Sequence, residues 1–146
     1  FARRGFDVTL FDRPDVIEVV QPSLSHHPVE LHAGDFLEGL PGEFDLVFCS
    51  RVNHAIGPAE NQQLFEHVHN ALVPGGAVVA IDILRGRSER ASLFAAHMLA
   101  QTECGDVYTA GQFAEWLFEA GFEHPRVDNV PGTDLYAVGS FKRGID

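Results

Sequence analysis

The chain has 146 residues, 45% of them apolar, with 10 basic residues against 21 acidic for a formal charge of −11. This length suits one domain with a substantial core, and 12 Phe with 21% charged residues argue against disorder. No apolar run approaches the ~20 residues that span a bilayer, and a strongly acidic chain repels phosphate backbones, so membrane insertion and nucleic-acid binding are both disfavoured. Two cysteines, Cys49 and Cys104, make no disulfide framework and fit a reducing cytosol.

Short apolar runs alternate with helical patterns, the signature of a parallel α/β sheet. FDVTLF (6–11) predicts a strand ending at Asp12, and Pro14 opens a short helix to Val20. Residues 21–28 read as a polar loop and Val29 to Ala33 as a second strand closed by Gly34-Asp35-Phe36. FDLVFC (44–49) predicts a third strand buried on both faces. Pro58 opens a helix with Leu64, Phe65, Val68, Ala71 and Leu72 on one face, stopped by Pro74-Gly75-Gly76. AVVAIDI (77–83) predicts a fourth strand. Two further helices are predicted, one from about Arg90 to Gln101 and one from Thr109, an N-cap, to Ala120 with Gly121 after it. LYAVGSF (135–141) predicts a final strand, and Trp116 and Phe118 read as core.

Ligands of open parallel sheets bind beyond the carboxyl ends of the strands. Polar residues gather there: Asp12 after the first strand, Asp35 after the second, Ser50 and His54 after the third, and Asp82 late in the fourth. An acid in the place of Asp12 accepts hydrogen bonds from ribose hydroxyls, or caps the helix that follows. Asp35-Phe36 offers an acceptor for an exocyclic amine beside an aromatic face, or forms an ordinary turn. Asn53 is positioned to bond substrate or backbone. His26, His27 and His32, like His67 and His69, lack metal-ligand spacing, so no metal is expected.

Three stretches together resemble the S-adenosylmethionine-dependent O-methyltransferases of small molecules, the type that includes plant caffeate and bacterial polyketide enzymes. They are FDRPDVIEVV (11–20), GDFLEGLPGEFDLVFCSRVNHAIGPAENQQLFEHVHNALVPGGAVVAIDIL (34–84) and YTAGQFAEWLFEAGF (108–122). The resemblance implies a Rossmann-like class I methyltransferase sheet with flanking helices, lacking the first strand and its glycine-rich loop. It implies that residues 1–146 are a partial catalytic domain, and that the full-length protein is a cytoplasmic homodimer. S-adenosylmethionine would be held by Asp12 at the ribose, by Asp35 and Phe36 at the adenine, and by Ser50. His54 would be the general base toward a small-molecule hydroxyl, oriented by Asp82. Phe94, His97 and Met98 would line the acceptor pocket, joined by Asn53.

The sequence also departs from the family. Ser50 stands where a Lys or Arg is usual, with Arg51 adjacent; Ala55-Ile56 replaces Asp-Trp after the histidine; Val107 replaces a second Glu of plant members. Two other readings are a methyltransferase-like domain that binds cofactor without catalysis and a fragment of an NAD-dependent oxidoreductase, since Asp12 also suits that ribose.

Overall fold

The computed structural model describes residues 1–144, which divide into two compact units, Phe1–Leu40 and a second beginning at Pro41. The first unit holds β1 (Val8–Asp12), α1 (Pro14–Leu24) and β2 (Val29–Ala33), after a short 3-10 turn at Ala2–Arg4. β1 and β2 run parallel with Val8 opposite Val29 and Asp12 opposite Ala33. Pro14 lies in the first turn of α1, where its missing N–H costs no hydrogen bond. α1 does not stop at Val20: it runs through Pro22 to Leu24, so the start of the expected loop is helical.

The second unit holds β3 (Phe44–Ser50), α2 (Pro58–Ala71), β4 (Leu72–Asp82), α3 (Ala91–Gln101), α4 (Ala110–Glu119), β5 (Phe122–Asn129) and β6 (Tyr136–Lys142). Its four-stranded sheet has the order β3-β4-β6-β5. β3 and β4 are parallel, whereas β6 runs antiparallel to both β4 and β5. The sheet is therefore mixed rather than wholly parallel.

α2 folds as its pattern predicts as far as Ala71, while Leu72, expected on the same helix face, begins β4 instead. Glu60 accepts from the Gly57 N–H at 2.7 Å, and Leu64, Phe65, Val68 and Ala71 are all buried. They face α4, with the Phe65 and Phe113 rings edge-on at 6.2 Å. Burying a phenylalanine of this kind is worth about 1.5–3 kcal/mol. Thr109 caps α4 with the Gln112 side chain in a reciprocal capping box.

Four expectations are corrected. β3 is an edge strand, paired in the sheet with β4, so Leu46 and Phe48 are each 42% exposed instead of buried. Pro74-Gly75-Gly76 lies inside β4, where the register slips between Phe44 opposite Leu72 and Leu46 opposite Ala77. β5 was not expected at all. It contains Pro125 and a bulge between Glu123 and Arg126, with His124 at φ 53, all tolerated because it is an edge. Phe118 is 74% exposed, on the outer face of α4, while Trp116 is buried.

Candidate active site

The parallel pairing of β3 with β4 sets Ser50 opposite Ile81, which brings the segment after β3 beside Asp82 at the end of β4. That segment turns sharply at Arg51, whose φ is 58, and then forms a single 3-10 turn at Asn53–Ala55. His54 sits in this turn. Its Nδ1 lies 2.8 Å from Asp82 Oδ1 and 3.0 Å from Oδ2.

Asp82 is 2% exposed and accepts two backbone hydrogen bonds besides, from His54 N–H at 3.2 Å and from its neighbour Ile83 N–H at 2.8 Å. An ionised carboxylate only accepts, so the proton between the pair belongs to Nδ1 and the lone pair to Nε2. The His54 side chain is 11% exposed. The ring of Phe94 meets it edge-on at 4.8 Å, and the Arg51 guanidinium lies 5.6 Å from the Phe94 centroid. Chemically the arrangement is an oriented imidazole with one fixed tautomer, screened on one side by an aromatic ring that a cation covers.

The remaining expected residues are placed variously. Phe94 is half-buried and His97 exposed, with their rings 6.1 Å apart. Met98 is 6% exposed and its carbonyl accepts from Thr102, so it faces the interior. Asn53 has no exposed surface; its amide donates to Asn61 Oδ1 at 2.8 Å, which makes it a brace within the loop. A groove of about 450 Å³ along α3 is lined by Ala95, Ala96 and Leu99 with Cys104 and Gly105, and not by the expected pocket residues. Ser50 is exposed.

Val107 is 1% exposed and packs with Ile83 and Ala91, so an acid at this position would be buried in an apolar cluster. Asp106 nearby is occupied with Arg85. Sequence reasoning missed Asn61, which is fully buried beneath the His54 turn. It also missed Tyr108, whose hydroxyl donates to the Ile56 carbonyl at 2.6 Å. Burial, with Asp106 second, pushes the Tyr108 phenol up to about 12, so it remains a donor throughout the working range.

In the first unit, Asp12 stands at the carboxyl end of β1 with Oδ1 accepting from Arg13 N–H at 2.8 Å. Asp35 follows β2 and closes a turn by accepting from Leu37 N–H at 2.8 Å, and Phe36 beside it is half-buried. Two carboxylates beyond adjacent parallel strands, with an aromatic side chain next to the second, form a set of acceptors and a stacking face whose chemistry fits an adenosine's hydroxyls and amine. Burial pushes the Cys49 thiol up to about 12, which leaves it inert. Among the described residues no three His, Cys, Asp or Glu side chains group as metal ligands, and no helix is long and apolar enough to cross a membrane.

A family model described as an O-methyltransferase domain matches residues 4–123. The tetracenomycin polyketide synthesis 8-O-methyl transferase TcmO of Streptomyces glaucescens is 29% identical over 143 residues, covering 90% of this chain and 41% of that protein. Acetylserotonin O-methyltransferase of Gallus gallus is 32% identical over 127 residues, covering 82% of this chain and 36% of its own length. Human N-acetylserotonin methyltransferase, solved in complex with SAM, superposes with a TM-score of 0.86 at 27% identity over 96% of this chain and 41% of that one. The chain thus spans about two fifths of the length of the relatives it matches. The expected methyltransferase-type α/β fold holds.

Proposed function

The chain belongs to the O-methyltransferase domain family, and from that premise we propose that the full-length protein methylates a hydroxyl of a small molecule, with His54 as general base and S-adenosylmethionine as donor. The relatives point to this donor and to acceptors of that size: the human structural neighbour is complexed with SAM, and TcmO acts in polyketide synthesis. The same reading takes the full-length protein as a cytosolic homodimer.

Bound S-adenosylmethionine supplies an already activated methyl group, so the protein's task is to bind, orient and remove a proton. Asp12 would hold the ribose, Asp35 and Phe36 the adenine; Ser50 is the candidate contributed by the end of β3. His54 takes the acceptor proton at Nε2. Asp82, holding Nδ1–H at 2.8 Å, keeps Nε2 free and stabilises the imidazolium that forms. Phe94, edge-on to His54, limits water at one side of the ring, and with His97 it offers an aromatic surface to the acceptor. No metal enters this scheme.

The observation that carries the reading is the buried, triply bonded Asp82 carboxylate gripping His54. A positioned general base contributes about 10²–10⁴-fold. His54→Gln in the full-length protein, assayed for methyl transfer to a panel of phenols, is expected to lose turnover on that scale while still binding S-adenosylhomocysteine. Near-normal turnover in this variant removes the assignment.

A further inference from the structure

His54 sits in a 3-10 turn of three residues that has no side-chain cap of its own. Nothing within so short an element fixes the direction of its side chains, so the orientation must come from outside it. Two groups supply it. Asp82 receives the His54 N–H at 3.2 Å, and Asn61 Nδ2 donates to the Asn53 carbonyl at 3.0 Å. These are the two ends of one peptide unit, the unit that aims the Cα–Cβ bond of His54.

The same Asn61 amide reaches the carbonyls of Gly57 at 3.1 Å and Ile56 at 3.3 Å, on the far side of the histidine. Its Oδ1 accepts from Asn53 Nδ2 at 2.8 Å. Asn61 is wholly buried, and its own N–H is fastened to the Gly57 carbonyl at 2.9 Å in the regular ladder of α2. One side chain on a rigid helix therefore gathers backbone from both flanks of His54.

We propose that Asn61 is a positioning residue for His54: from the first turns of α2 it fixes the loop so that the imidazole meets Asp82 and presents Nε2 outward. This rests on the general-base reading of His54. Only an amide fits the role, because it must accept from Asn53 and share its two N–H donors among the carbonyls of Asn53, Gly57 and Ile56. Aspartate supplies no donor, and an aliphatic residue supplies neither.

The test uses the full-length protein carrying Asn61→Ala and, as a milder variant, Asn61→Ser, which keeps one hydroxyl donor. Two quantities are read in each. One is kcat for methyl transfer against the affinity for S-adenosylhomocysteine. The other is the ¹⁵N chemical-shift pattern of the His54 ring, measured without substrate. In the alanine variant kcat falls about 10–10²-fold, the effect of small misplacement of a reacting group, with cofactor affinity within about twofold. The ring pattern changes from a single Nδ1–H tautomer to a mixture, and the serine variant lies between. A folded variant that melts earlier but keeps the wild-type ring pattern and kcat overturns the proposal. So does failure of both variants to fold, which would make Asn61 a folding element. The ring pattern does not depend on turnover, so failure here is distinguishable from failure of the base assignment, which His54→Gln reads.

Discussion

At the scale of single residues, the site is an exercise in satisfying buried polar groups. Asp82 is one residue among many in an apolar strand, and it is tolerated at 2% exposure because three donors converge on it. Gly105 shows how tightly the turn is enclosed. A Cβ there would lie 2.4 Å from the His54 carbonyl oxygen and 2.5 Å from Thr102 Oγ1. Gly105→Ala is therefore expected to displace the His54 backbone, lowering both melting temperature and methyl-transfer rate; unchanged values for both would show that the turn yields freely. His54 and Asp82 were legible in sequence as a polar residue beyond one strand and an acid at the end of the next, because parallel pairing places such residues side by side. Asn61 was not legible. Its partners are backbone carbonyls, which every residue has, so no pattern of side chains advertises it. The burial of Met98 and Asn53 was not legible either, because it depends on which helix face or turn the rest of the chain covers.

Among elements, those with strong local chemistry were read correctly. β2 coincides with Val29–Ala33, Pro14 and Pro58 open α1 and α2, and Thr109 caps α4. β5 escaped because Pro125 and alternating charged residues contradict a strand everywhere except at an edge. The same strand holds a titratable joint. His69 near the end of α2 packs edge-on against Phe122 of β5 at 5.0 Å, while Lys142 of β6 donates to the His69 carbonyl at 2.9 Å. Burial, and then the Lys142 charge, lower the His69 pKa below its ordinary value of 6.5. A histidine with a depressed folded value binds its proton more readily unfolded, so its stabilising contribution is complete above about pH 6.5 and is lost as pH falls through the folded value. Melting temperature should decline as pH falls below about 6.5, and His69→Phe, which keeps the ring contact, should show a shallower decline. Parallel curves for the two proteins would exclude His69 as the source.

For the molecule as a whole, family and fold were legible because several independent features had to agree: acids after the first two strands, a histidine after the third, and a helix followed by Pro-Gly-Gly. What pattern could not supply was the division into two units and the exposure of Leu46 and Phe48 on β3. The residues proposed to hold adenosine, Asp12, Asp35 and Phe36, belong to the first unit, and the His54–Asp82 pair to the second.

The central claim is that His54 and Asp82 act as one device, and a double-mutant cycle reads that claim directly. kcat/KM for methyl transfer is measured in the full-length protein for wild type, His54→Gln, Asp82→Asn and the double variant. If the carboxylate works solely through the imidazole, the double variant loses no more than His54→Gln alone, a loss of about 10²–10⁴-fold. Losses that multiply would mean that the two side chains serve the reaction separately, and would contradict the account.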